Sequence, residues 1–294
     1  MKMLLTPSFV ARKILGRGLR ERFRRRFPRR VPDYASYASI SLGRHGLEIG
    51  GPSAIFGAQG SLPVYARLDS LDNCIFSGQT IWEGSVEEGK TFLYDPEKPP
   101  GRQFICEATD LRGIPDASYD CVLASHVLEH LANPLKALRE WKRVLGRNGL
   151  VSLVLPHKDG TFDWRRPTTT LAHLIEDFDK NVGEDDRTHL SEILDLHDLT
   201  KDEAAGSAER FRERCLHNDT NRAMHHHVFD TAAAVAMVDH IGLQLLRVDL
   251  LKPFHVILLS QSCTGFPDNR AFLGVNAPYR RRSPFPSDRA AALP

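Results

Sequence analysis

From residue 46 onward the sequence alternates short apolar runs with helix-like segments, and this periodicity directs the chain to the α/β class. Runs at 46–50, 64–68, 104–106, 120–124, 150–155, 244–249 and 254–260 are strand-like. Residues 133–145 carry Leu135, Leu138, Trp141, Val144 and Leu145 on one helical stripe, which Gly146 and Gly149 then end. Strands alternating with helices fold as an open, mostly parallel sheet covered by helices on both faces. Residues 156–230 interrupt the rhythm: these 75 residues hold eight His, 17 Asp/Glu and ten Lys/Arg, with clear helical patterning only at 171–178 and 190–196. A polar insertion of this size between the fifth and sixth strands is expected to cap the substrate side of the sheet rather than form a second core.

The formal net charge of +2 conceals a segregation along the 294 residues. Residues 1–33 hold eleven Lys/Arg against two acids, residues 34–261 hold 23 against 33, and residues 262–294 hold five against two. The first segment reads as a basic amphipathic arm, with Val10, Ile14, Leu19, Phe23 and Phe27 on one side and Arg12, Arg17, Arg20, Arg24 and Arg25 on others. Such an arm suits the surface of an anionic membrane or, with equal weight, the acidic body of its own chain. The last segment, rich in Pro, Arg and Ser, is expected to be a flexible tail. Nucleic-acid binding by the acidic body is not expected, because phosphate affinity needs clustered Lys/Arg. Cysteines at 74, 106, 121, 215 and 263 form no CxxC pair and suit the reduced thiols of a cytoplasmic protein. No apolar run reaches the roughly 18 residues of a membrane span.

The chemistry begins at Leu47-Glu48-Ile49-Gly50-Gly51-Pro52-Ser53, an apolar strand ending in an acid and two glycines. The glycines let backbone approach a ligand closely, and a following helix would present its amides. Gly51-Pro52-Ser53-Ala54-Ile55 lacks the second glycine of a serine-hydrolase elbow, and no Gly-Lys-Ser/Thr follows to make a phosphate loop. Taken alone, Gly-Gly-Pro-Ser is also an ordinary turn. About twenty residues later Asp69 closes the expected second strand, where an acid can accept hydrogen bonds from a ribose diol; Asp72 competes for that role. Further on stand Glu107-Ala108-Thr109-Asp110-Leu111 and the run Ile114-Pro115-Asp116-Ala117-Ser118-Tyr119-Asp120-Cys121-Val122-Leu123-Ala124-Ser125-His126-Val127-Leu128-Glu129-His130-Leu131.

With Pro134, Arg143-Val144-Leu145 and Gly149-Leu150-Val151, this pattern resembles class I S-adenosylmethionine-dependent methyltransferases, in the subgroup acting on small molecules, sugars and lipids. The resemblance covers residues 46–157 well and the last two strands loosely, and it implies a Rossmann-like, mostly parallel sheet of seven strands. It also implies that Glu48, Gly50 and Gly51 line the methionyl side of the cofactor, that Asp69 binds the ribose, and that Glu107 with Ala108 meets the adenine, Asp110 being the alternative acid. Ser125 joins this cofactor set. The family's third glycine is replaced within Gly51-Pro52-Ser53-Ala54, and its adenine aspartate by Glu107.

In such a fold the end of the fourth strand faces the reactive methyl, which makes His126 an acceptor-side residue. Methyl transfer to a hydroxyl needs alignment and a base, and histidine suits the base. His157, ending the fifth strand and followed by Asp163 and Arg165-Arg166, is the second candidate; each histidine taken singly also fits a capped loop. In the insertion Asp185 and His189 stand four residues apart, and His189 and Glu192 three, so a divalent-ion site is geometrically available. Glu184-Asp185-Asp186 at a helix start has a dipole explanation without any metal, and no metal ligand is assigned. The His157-Lys158-Asp159, Arg165-Arg166-Pro167 and His225–Phe229 stretches resemble methyltransferases that act near glycan assembly, which implies a saccharide, a lipid-linked glycan or a similar small hydroxylated acceptor. The expectation is therefore O-methylation with histidine base assistance. N- or C-methylation of a small metabolite and a non-catalytic cofactor-binding module are the alternatives.

Overall fold

The computed structural model describes residues 29–81 and 83–290, and in it the alternation becomes one eight-stranded sheet. The strands are β1 (His45–Ile49), β2 (Ser70–Ile75), β5 (Gly89–Phe92), β6 (Gly101–Ile105), β7 (Tyr119–Ser125), β8 (Leu145–Pro156), β9 (Leu243–Leu251) and β10 (His255–Ser262); β3 (Gln79–Thr80) and β4 (Gly84–Ser85) make a separate short ribbon. The order across the sheet is β5-β6-β2-β1-β7-β8-β10-β9. Strands β6, β2, β1, β7 and β8 are parallel, and β10 returns antiparallel between β8 and β9. The eighth strand is β5, an antiparallel addition on the edge beside β6.

The two faces are covered differently. On one, α2 (Pro134–Val144) buries Leu135, Leu138 and Trp141. Asn133 caps it by accepting from Lys136 N at 3.0 Å, and Pro134 occupies a first-turn position where no N–H is needed. Trp141 Nε1 donates to Ala108 O at 3.0 Å, which ties this helix to the end of β6. On the other face α1 (Tyr34–Ile40) is the one α-helix among the described residues, and most of the remaining cover is the irregular segment between β1 and β2, with Val31, Phe92 and Tyr94 beside it. Neither the helix expected after Gly50-Gly51 nor the strand expected at 64–68 forms. Pro52 and Pro63 lack an N–H, and at Gly60 a Cβ would lie 2.1 Å from Ile55 O, so the chain closes on itself in turns. Leu62, Val64, Tyr65 and Leu68 still reach the core, from turns and a single 3-10 turn at Tyr65–Arg67.

Beyond β8 the insertion contains α3 (Leu171–Asp179), α4 (Leu190–Leu196) and α5 (Ala208–Leu216) before α6 (Thr231–His240) rejoins the main core. Contrary to expectation it has a small core of its own, formed by Ile193, Ala205, Phe211, Cys215 and Met224. Its polar counterpart is Arg166, fully buried, which donates to Asp163 Oδ1 (3.0 Å), Glu192 Oε1 (2.8 Å) and the carbonyls of His225 (2.9 Å) and His226 (3.1 Å).

The segment after 262 also departs from the loose tail expected. It forms α7 (Pro278–Arg282) and α8 (Pro286–Ala290), and Ala277 and Tyr279 enter the main core. Asp288 is buried; it accepts from Ser283 Oγ (2.6 Å) and Thr231 Oγ1 (2.7 Å) and lies 3.3 Å from His157 Nε2. No helix among the described residues is long and apolar enough to cross a membrane. The amphipathic stripe expected at Val10–Phe27 lies outside the described residues.

Candidate active site

Adjacent parallel strands whose connections leave in opposite directions open a crevice at their carboxyl ends, and here that switch falls between β1 and β7. A cavity of about 600 Å³ occupies it, lined by Ile49 and Gly50 after β1, Cys74, Ile75 and Phe76 at the end of β2, Glu107 and Ala108 after β6, and Ser125, His126 and Val127 at the end of β7. That volume is in the range of a small-molecule site.

Gly50 has φ +72°, and a Cβ there would come within 3.0 Å of Val127 Cγ2. The residue therefore has to be glycine both for its backbone and for the open wall of the cavity. The loop beyond it is pinned from below: Gly51 N donates to Asn73 Oδ1 at 2.9 Å, and Ser53 N donates to Glu48 Oε1 at 3.1 Å. Tyr65 Oη donates to Glu48 Oε2 at 2.7 Å. Glu48 is thus a support beneath the glycine loop and does not line the cavity. Burial pushes its carboxyl up to about 7 against the opposing hydrogen bonds from Ser53 and Tyr65.

The acids expected at the ribose lie elsewhere. Since β2 starts at Ser70, Asp69 precedes the strand instead of ending it, and its amide is tied to Arg44 O at 2.9 Å. Asp72 accepts from Tyr119 Oη (2.9 Å) and Arg102 N (2.8 Å), away from the cavity. Asp110 is paired with Arg112 outside it. The carboxylates that do line the cavity are Glu107, which accepts from Arg222 Nη2 at 2.8 Å, and Glu83 on the β3–β4 turn. Burial raises the Glu83 carboxyl.

His126 is held in the left-handed region at φ +56°, uncommon for a residue with a Cβ, and its amide donates to Val154 O at 2.9 Å. That conformation turns its ring to the cavity wall, with Nδ1 3.3 Å from Glu129 Oε1 and Nε2 3.1 Å from His255 Nδ1. Glu129 is buried. Burial would raise its carboxyl, but the adjacent imidazole of His126 and the nearby His130 and His225 bring it below the usual glutamate value. Burial, with His126 close by, lowers His255 to about 4, so that imidazole is neutral at pH 7. The other two acid/base candidates are not at the cavity. His157 is fully buried, stacked on Phe285 at 4.0 Å and held against Asp288. Asp163 is locked between Arg166 and His225, whose Nδ1 lies 2.6 Å away; despite burial these partners lower it to about 2.

Phe76, Glu83, Arg222 and His255 line the cavity without having been singled out from sequence. His255 opens β10, and because that strand runs antiparallel, its first residue meets the carboxyl end of β8 at Pro156. A hairpin reading of the last two strands carried this signal. Arg222 arrives from the insertion on a residue with φ +53°, and no local pattern announced it. In the insertion, Glu192 accepts from Arg166, and neither it nor Asp185 clusters with His189 as the spacing had allowed; Glu184 pairs with Arg222 Nη1.

Residues 70–153 match the family model described as "Methyltransferase domain". No curated protein matches the chain. Among solved structures, a SAM-dependent methyltransferase from Aquifex aeolicus is 14% identical over 79% of this chain and 90% of that one, with a TM-score of 0.40. The 1,6-didemethyltoxoflavin-N1-methyltransferase of Burkholderia thailandensis, solved with that substrate and S-adenosylhomocysteine, is 9% identical over 90% and 93%, with a TM-score of 0.42. The match runs from β2 into β8, the part of the sheet that opens on the cavity, and is to a domain of methyltransferases, whose cofactor by the sequence resemblance is S-adenosylmethionine. The cavity suits that group: a glycine cradle that a Cβ would fill, apolar walls at Ile75, Phe76 and Ala108, and two carboxylates on its lining.

Proposed function

We propose that this methyltransferase methylates a hydroxyl of a saccharide, a lipid-linked glycan or a similar small acceptor, with His126 as the base. The observation that carries the reading is the His126–Glu129 pair at the wall of the switch-point cavity. S-adenosylmethionine, when bound, supplies an electrophilic methyl. Gly50 and the loop after it would hold its methionyl end, Phe76 and Ala108 would flank the adenine, and Glu107 or Glu83 would accept from the ribose diol.

The chain's own contribution is alignment and proton transfer. The anionic Glu129 keeps a proton on His126 Nδ1, which makes Nε2 the basic nitrogen. An acceptor hydroxyl entering beside His255 gives its proton to Nε2, and the imidazolium that forms is stabilised by Glu129. Neutral His255 offers the acceptor a hydrogen-bonding partner without a competing charge. Contact of the basic arm, residues 1–33, with an anionic membrane belongs to the same reading, since lipid-linked acceptors lie there; co-sedimentation of the full chain with anionic vesicles tests it.

The main test is transfer of labelled methyl from the cofactor into a panel of saccharides and into extracts of the native host, followed by identification of the product. His126→Ala is expected to lose at least about 100-fold in transfer while keeping its affinity for S-adenosylhomocysteine. A fully active His126→Ala protein, or a product methylated on nitrogen or carbon, overturns the reading.

A further inference from the structure

Three consecutive histidines, 225–227, lie in a segment that is neither helix nor strand, and their rings diverge. His225 faces Asp163 and the His130 ring beside the cavity, whereas His227 faces the other way, toward α3. There it meets His173 and Asp177, one turn apart on α3, and His189, the residue that precedes α4. One ligand atom from each of these four residues lies within 4.8 Å of all the others.

The spacing is that of a coordination shell. His173 Nε2 is 3.0 Å from His189 Nε2 and 3.3 Å from Asp177 Oδ2, and His227 Nε2 is 3.8 Å from Asp177 Oδ2. A tetrahedral metal with bonds of about 2.0–2.1 Å sets its ligand atoms about 3.3 Å apart. Hydrogen bonding alone leaves the cluster unbalanced. One proton can serve the His173–His189 contact, yet Asp177 Oδ2 is buried amid imidazoles and accepts no hydrogen bond. His227 is likewise buried, and its Nε2, 3.8 Å from that oxygen, has only the carbonyl of Ala132 at 3.2 Å. Buried polar atoms without partners are rare in native proteins, and a bound ion supplies the partner that such lone pairs lack.

We propose that His173, Asp177, His189 and His227 bind one divalent transition metal, with zinc the best fit to three imidazoles and a carboxylate. Four protein ligands fill a tetrahedron and leave no open position, so the role is structural. The ion fastens α3, the start of α4 and the 225–227 segment to one another. It does so just behind the catalytic wall, because His227 N donates to Glu129 O at 3.3 Å. The inference is independent of the acceptor and of the base assignment.

The test uses the full chain, stripped with chelator and titrated with Zn²⁺ or Co²⁺, with metal content, thermal melting and the visible spectrum of the Co²⁺ form as readouts. One equivalent bound, a tetrahedral cobalt spectrum and a higher Tm are expected. His173→Ala/His189→Ala should weaken binding by more than the roughly 10–100-fold typical of losing an outer-shell partner, and Asp177→Asn should alter the cobalt spectrum. Affinity for S-adenosylhomocysteine shows that the variants are folded. His225→Ala, which removes a member of the neighbouring Glu129–His130–His225 group, should retain the metal. A wild-type chain that takes up neither ion overturns the proposal, as does metal kept by the double variant or lost only in His225→Ala.

Discussion

Glu48 is a carboxylic acid fixed under the glycine loop with no water-facing surface, and this makes the stability of the chain depend on pH in a direction opposite to that of most acids. Its folded-state value of about 7 stands above an unfolded value of 4.5. The folded chain therefore holds a proton that the unfolded chain has released, so the stabilisation is fully present below 4.5 and is lost as pH rises through 7. The whole span is worth about 3.4 kcal/mol, of which about 2.5 kcal/mol falls between pH 5 and pH 8. Glu48→Gln removes the titration but keeps an oxygen to accept from Ser53 N and Tyr65 Oη. Urea unfolding of both proteins across this range should show wild type losing about 2.5 kcal/mol relative to Glu48→Gln. A difference that stays flat with pH would refute the reasoning, because Glu48 would then carry the same charge folded and unfolded.

Further outcomes follow from the cavity and the tail. Gly50→Val places a β-branched side chain at positive φ and against Val127, at a strain of about 1–2 kcal/mol, and calorimetry should find S-adenosylhomocysteine binding abolished or severely weakened. Glu107→Ala should weaken that binding about tenfold or more, whereas Asp69→Ala and Asp72→Ala should leave it unchanged; equal losses in all three would contradict the position assigned to β2. Asp288→Ala strands buried His157 and should cost about 3 kcal/mol in urea unfolding with little change in cofactor affinity.

The parts of the fold legible in the sequence are those whose signal is local. The continuous apolar runs of β1, β7 and β8 and the 3.6-residue stripe of α2 each announce one buried element, and the positions at their ends, Gly50, Ser125 and His126, come with them. Residues 64–68 show where a local signal misleads. An apolar cluster that reaches the core from turns has the same composition as a short strand, and reading it as one displaced the expected strand end from Ile75 to Asp69. The remainder is long-range. His255 enters the site through an antiparallel return, Arg222 through the insertion, and His157 leaves it because a residue from the end of the described chain arrives to bury it. Spacing arguments confined to neighbouring residues carry none of these contacts.

The pairing of His157 with Asp288 also bears on how the protein is made. Synthesis proceeds from the amino terminus, so β8 and its terminal histidine emerge long before α8 exists. Until the residues around 288 have been added, that end of the sheet keeps an unmatched imidazole, and the places of Phe285 and Tyr279 stand open to water. A nascent chain that has already formed its cofactor-binding strands is therefore still unsealed. It is in this interval, rather than in the finished molecule, that aggregation, proteolysis and recruitment of chaperones have their opportunity.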